Sequence, residues 1–242
     1  MPPEIPIPTV GHVAAAGHVM PTAPGPSTEL LMVVRRGVDL AQTVFRALVD
    51  AVSNPGRPAR LPVGPAGLHP VVLPVLTVVD LQTALAVVGP DETRPTELAS
   101  AIGRVTGAPT GVDHRSADVV LVTAPSAFTA ALVWTLRTGS AMAPEQGAKV
   151  FVACSAILGP DDGHAGEAMA AVASDGPELR VTGPGAADGR TLRILGVDPQ
   201  AIAVIDRVNA GYPAGIDVFM VDPSGLVVGL PRSNRVLAGG DR

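Results

Sequence analysis

Between residues 38 and 53, apolar side chains recur at Ala41, Val44, Phe45, Leu48 and Val52. That i, i+3, i+4 rhythm predicts an amphipathic helix, and Asn54-Pro55-Gly56 supplies its stop. Folded structure is expected to start near Leu30. A short strand is expected over 58–61, then a buried helix over 70–80, apolar throughout despite Pro74. Residues 85–88 read as a buried strand, and 95–106 as a helix with Thr93 as its cap. A strand at 118–123, a turn at Ala124-Pro125-Ser126 and a helix to Arg137 follow, then a loop and a strand at 149–155. Residues 179–182 and 191–194 read as two strands joined by a glycine-rich turn over 183–190. Asp198-Pro199 opens a helix, with Asp as N-cap and Pro at N1. Ala201, Val204, Ile205 and Val208 form its buried face, and Gly211 ends it. Closing strands at 216–221 and 226–230 flank Asp222-Pro223-Ser224-Gly225. Strands alternating with helices, then a late hairpin, predict a layered α/β domain with a mixed sheet.

Two stretches resist this pattern. Residues 1–28 hold seven prolines and alternate short apolar runs with breakers, so they are expected to form an arm ahead of a single domain over 29–242. The 158–177 stretch, rich in Gly, Ala and acids, reads either as a short helix over 167–173 or as a flexible insertion. Residues 119–136 carry no formal charge and touch the length of a membrane span. Strand, turn and helix explain both their β-branched run and Pro125, so a soluble reading is preferred. The N-terminus lacks the continuous apolar stretch of a secretory signal. A cytoplasmic protein with no membrane partner is expected.

Composition narrows the chemistry. The chain of 242 residues has a net charge of −5, and its cations are scattered rather than gathered in a basic stripe, which argues against nucleic acid as a partner. Six aromatics stand against 35 valines, so the core must be aliphatic. Cys154 is the one cysteine and rules out an internal disulfide or a cysteine-held cluster. It lies in an apolar strand and is expected to be an inert buried thiol. Lys149 is the one lysine, so any Schiff-base chemistry would have to use it.

Motif searches exclude more than they find. Gly183-Pro184-Gly185 with Gly189 fits neither a Walker loop nor a dinucleotide fingerprint, because no Gly-Lys-Ser/Thr follows and a strand comes next. No Gly-x-Ser-x-Gly elbow and no His-Glu-x-x-His occurs. His12 with His18, and Asp161 and Asp162 with His164, are weak metal candidates, and no metal site is expected. Two segments carry more than solvent contact needs: the small-residue loop 138–147, with one carboxylate, Glu145, and 211–217 together with Pro231-Arg232.

Five blocks, in order, resemble one family. They are Phe45-Arg46-Ala-Leu-Val-Asp-Ala-Val-Ser53-Asn-Pro55-Gly56, Gly139-Ser-Ala-Met-Ala143-Pro144-Glu145-Gln-Gly147, Leu179-Arg-Val-Thr-Gly183-Pro-Gly185, Pro213-Ala-Gly215-Ile-Asp217 and Leu230-Pro231-Arg232. The set is similar to PhnH, the H subunit of bacterial carbon–phosphorus lyase. The resemblance implies a three-layer fold like the large domain of pyridoxal-phosphate (PLP)-dependent transferases, but without PLP or its lysine. Lys149 falls at a variable position of the motif. It also implies partners: the G, I and J subunits of a core complex that breaks down phosphonates. With an ATP-binding L subunit, G, H and I support the formation of α-D-ribose 1-methylphosphonate 5-triphosphate from ATP and methylphosphonate. ATP would thus be a substrate of the complex rather than a cofactor of this chain. Nucleosidase chemistry is assigned to I and radical iron–sulfur chemistry to J. The H subunit has no established catalytic residue and forms a homodimer in isolation. The arm and the 158–177 stretch depart from the family pattern.

On this reading the chain is an accessory subunit, and its catalytic residues are unknown. The alternatives are a free-standing homodimer that binds a phosphorylated ligand, and a lysine-dependent enzyme. Candidate binding or interface residues are Arg46, Glu145 and Arg232, with Ser140 and Asp217 nearby. Arginine matches phosphate and phosphonate oxygens by bidentate geometry. The plainer reading of the same residues is an Arg–Glu pair that fixes two loops.

Overall fold

The computed structural model describes residues 26–159 and 176–239. The first 25 residues with His12 and His18, the cluster Asp161, Asp162 and His164, and the expected helix 167–173 lie outside the described residues. The first helix, α1 (Thr28–Arg36), starts two residues before Leu30, and the Ser27 Oγ accepts from the Leu30 N–H at 3.2 Å. Then come α2 (Val38–Ser53), β1 (Ala59–Arg60), α3 (Val72–Val78), β2 (Leu85–Val88) and α4 (Thr93–Thr106). Pro74 is tolerated because it sits in the first turn of α3, where its missing N–H would find no helical partner. Thr93 is the first residue of α4 rather than its cap; the Asp91 carboxylate accepts from the Arg94 N–H instead.

Next are β3 (Val119–Val122), a 3₁₀ turn (Pro125–Ala127), α5 (Ala130–Thr135), a second 3₁₀ turn (Pro144–Gln146), β4 (Lys149–Ala153) and β5 (Ala156–Leu158). The chain closes with β6 (Glu178–Gly183), β7 (Ala186–Leu195), α6 (Pro199–Asn209), β8 (Asp217–Val221), β9 (Leu226–Leu230) and β10 (Arg235–Ala238). Asp198 caps α6 as expected, accepting from the Gln200 N–H at 2.8 Å.

The mixed sheet is present, in the order β1-β9-β8-β4-β3-β2, with β2, β3, β4 and β8 parallel and β9 antiparallel to both of its neighbours, β8 and β1. A second, antiparallel sheet, β10-β6-β7-β5, was not foreseen. Its source is the 183–190 segment. Instead of a long turn, β6 and β7 run almost into each other, and Gly185, at φ 76°, makes the reversal. Gly189 is a strand residue.

Alternation along the central strands separates two cores. Leu121, Phe151, Phe219 and Val221 face α1–α4, with Phe151 and Phe219 stacked at 4.9 Å between ring centres. Val120, Val150, Val152, Val218 and Met220 face α5, α6 and the second sheet. Helices therefore cover one side of the six-stranded sheet, and helices with a small sheet cover the other. Among the described residues no helix is long and apolar enough to cross a membrane.

Candidate functional site

The sequence-selected residues divide when placed on this frame. Pro231 ends β9, and the next residue turns back over the β8–β9 hairpin. The Arg232 Nε donates to Asp217 Oδ1 at 3.1 Å, its Nη2 to Asp217 Oδ2 at 2.6 Å, and its backbone N–H to Oδ1 at 3.0 Å. Its Nη1 donates to the Pro144 carbonyl. The Arg232 and Asp217 side chains are only 12% and 23% exposed. The guanidinium thus joins three segments: the 138–147 loop, the start of β8, and the chain after β9.

Backbone approach is what makes this possible. A Cβ on Gly147 would collide with the Gly215 carbonyl and the Arg232 guanidinium, and one on Gly215 would meet Asn209 Oδ1 at 2.5 Å. The Gly215 N–H donates to the Thr138 carbonyl at 2.8 Å. Buried Asn209 accepts from the Ile216 N–H and donates to its carbonyl. Every contact here fixes one loop to another.

Ser140 closes a tight turn on the same loop, its Oγ accepting from the Ala143 N–H at 3.1 Å. Glu145 is exposed in the 3₁₀ turn; Asp217, not Glu145, is the carboxylate that holds the arginine. Arg46 lies apart, exposed on α2 in the helical layer across the sheet. The structure therefore brings Arg232, Asp217 and the loop carrying Ser140 and Glu145 together, and it leaves Arg46 out. With both carboxylate oxygens on its guanidinium, Arg232 is neutralised, and a phosphonate would have to displace Asp217 to reach it.

This cluster stands at the amino ends of β4 and β8, where Lys149 pairs with Asp217 across the ladder. Ligands of open α/β sheets gather beyond the carboxyl ends, where strand order reverses. Here the parallel strands succeed one another in the order β2, β3, β4, β8, and the connections leaving β2 and β3 pass to opposite faces of the sheet, through α4 and α5. At their carboxyl ends the buried Asp222 is fully engaged: Oδ1 accepts from the Ser224 N–H and hydroxyl and the Leu226 N–H, and Oδ2 from the Ile157 N–H. Burial pushes the neighbouring Cys154 thiol well up, and the Asp222 charge adds to it; it is the inert thiol expected. Lys149 is exposed as the first residue of β4.

One constellation escaped the sequence reading. The His114 Nε2 lies 3.0 Å from Thr135 Oγ1, and its Nδ1 lies 3.5 Å from the Asp113 carboxylate. The geometry imitates a nucleophile–base–carboxylate relay. The Thr135 hydroxyl also lies 2.8 Å from the Leu132 carbonyl, an acceptor that competes with the imidazole for its proton. Asp113 is half exposed, and the Arg115 backbone N–H bonded to it holds its carboxyl below the usual carboxylate range. The group ties the end of α5 to the loop before β3.

Among the described residues no three His, Cys, Asp or Glu side chains gather as a metal would need. A shallow depression of about 250 Å³ lies along Gly185–Arg190 on the β6–β7 hairpin, smaller than ordinary ligand pockets. The fixed amino-end loops and their neighbours instead present apolar groups to solvent: Trp134 on α5, Met142 on the loop and Tyr212 after α6.

Comparison with known proteins identifies a family and a relative. Residues 34–237 match the family described as bacterial phosphonate metabolism protein (PhnH). HtxG of Stutzerimonas stutzeri, provisionally described as a C-P lyase subunit protein, is 30% identical over 199 residues, covering 81% of this chain and 85% of the relative.

Proposed function

Because the chain belongs to the PhnH family of bacterial phosphonate metabolism proteins, we propose that it is the H-type subunit of a carbon–phosphorus lyase complex. In that role it supports phosphonate catabolism as a structural or binding component. The reaction served is formation of α-D-ribose 1-methylphosphonate 5-triphosphate from ATP and methylphosphonate. The partners are G, I and J subunits in the cytoplasm, and in isolation the chain forms a homodimer. The observation that carries this reading is the match over residues 34–237, nearly all of the described chain.

The side chains support the accessory role. The best-formed polar cluster, Arg232 with Asp217, is satisfied internally, and the Thr135 hydroxyl beside His114 has the Leu132 carbonyl as a competing acceptor. Exposed Trp134 and Tyr212 are of the types that anchor protein interfaces. The fold is taken as a cofactor-free counterpart of the PLP-transferase large domain. Lys149 supports that view, since it stands exposed at the amino end of a parallel strand, away from where such sheets hold ligands.

Co-expression with G, I and J subunits tests the proposal. A stable complex that retains this chain through size-exclusion chromatography is expected; a chain that elutes free overturns it. Borohydride trapping with pyridoxal phosphate separates the lysine-dependent alternative, which requires labelling at Lys149 that is lost in Lys149→Ala.

A further inference from the structure

α2 is amphipathic twice over. Val44, Ala47, Leu48 and Ala51 enter the core. A second stripe faces solvent: Val38 at 78% exposed, Phe45 at 55%, Val49 at 48% and Val52 at 41%. Their spacing of seven, four and three residues lines them along one side of the helix, interrupted only by Gln42. Val33 and Met32 on the adjoining α1 are exposed as well. Apolar surface of this extent along one element marks a place where something docks.

The chain carries a segment of matching chemistry. Residues 1–25 contain Ile5, Ile7, Val10, Val13, Val19 and Met20, six prolines, and a single charged side chain, Glu4. Chains that stay free in water are poor in apolar residues and rich in charge, as well as in Pro and Gly; this segment has the prolines and glycines but is apolar and nearly uncharged. It joins the fold directly ahead of α1. Twenty-five residues in an extended, proline-rich conformation reach roughly 78 Å, whereas α2 is about 24 Å long. The tether gives the segment an effective concentration in the millimolar range next to α2. Proline-rich segments pack well against exposed aromatic and aliphatic side chains, because little conformational entropy is lost.

We propose that residues 1–25 dock along the outer stripe of α2, with Phe45 at its centre, and cover it within the same chain. The test uses the full chain, with p-benzoylphenylalanine at position 45 as a photo-cross-linker. The expected product is a monomer-sized species in which position 45 is joined to a peptide from residues 1–25. A cross-linked dimer joined through α2 shows instead that a second copy covers the stripe, and overturns the proposal. Absence of any adduct to residues 1–25 overturns it as well. Hydrogen exchange gives an independent readout. Phe45→Asp with Val49→Asp leaves the buried face of α2 untouched and should accelerate exchange of the amides between Ile5 and Met20 several-fold. Exchange equal to that of the wild type would refute the contact. Neither readout depends on the complex described above, so failure here leaves the subunit assignment standing, and the reverse also holds.

Discussion

Arg232→Ala removes the side chain that joins three segments, and its cost can be worked from the contacts. Two charge-assisted hydrogen bonds to Asp217 and one to the Pro144 carbonyl disappear. Hydrogen bonds to charged groups contribute about 1.5–3 kcal/mol each, and they do not add fully. Asp217 keeps the backbone N–H of residue 232 as a donor and is 23% exposed, so water resolvates part of its charge. Breaking a fully buried pair costs about 3–5 kcal/mol; for this partly wetted one a loss of about 3 kcal/mol is expected. In a domain of this size that corresponds to a fall in Tm of roughly 6–12 °C, readable by calorimetry. A double-mutant cycle with Asp217→Ala should return a coupling of about 1–3 kcal/mol. Arg232→Lys should recover only part of the loss, since an ammonium cannot span both carboxylate oxygens. A fall below about 3 °C would refute the argument. It would mean that Arg232 is held for a ligand and contributes little to the fold.

Gly147→Ala drives a Cβ into the Gly215 carbonyl and the Arg232 guanidinium, so it should lower stability by about 2–3 kcal/mol in urea unfolding; a neutral outcome would show that these loops are loosely joined. For Asp206, burial raises the carboxyl pKa, but two bonds from Arg235 and one from the Val236 N–H outweigh it and hold the pKa below the usual range. The resulting stability is complete above the unfolded value of about 3.9 and is lost as pH falls through the lower folded value. Asp206→Asn should therefore flatten the decline in Tm below about pH 4. Cys154, buried and with its thiol pKa pushed up, should resist Ellman's reagent in the native protein at pH 8 and react fully in denaturant; rapid native reaction would contradict its burial.

Periodicity alone located α2, β2, β4 and the β8–β9 hairpin within a residue or two, because each buries a regular apolar face. It failed where pairing is non-local. β10 is only four residues long and becomes a strand only against β6. Glycines at 183, 185 and 189 suggested one long turn, yet only the first two flank the reversal. α1 was lost beside the proline-rich segment, although Ser27 with Thr28 and Glu29 is sound N-cap chemistry. The Arg232 partner was within reach. The hairpin register places Val218 opposite Leu230, which puts Asp217 across from Pro231 and beside Arg232. Choosing Glu145 as the counter-charge followed sequence blocks where strand register should have decided.

The position of the Arg232 group bears on how such a subunit works. Its fixed loops lie at the amino ends of the parallel strands, where the sheet offers no ligand crevice, yet they are held by more cross-loop hydrogen bonds than solvent contact requires. Rigid loops lower the entropy lost on association. On or beside them stand the chain's one tryptophan and one tyrosine, both exposed. Exposed aromatics placed on pre-ordered elements are what a docking surface needs. Trp134→Ala with Tyr212→Ala should accordingly leave Tm within about 2–4 °C of the wild type, the shift from a change of roughly 1 kcal/mol, while lowering recovery of the co-expressed complex at least tenfold. A complex recovered in full would move the contact surface away from these loops, leaving the outer layer of helices to carry it.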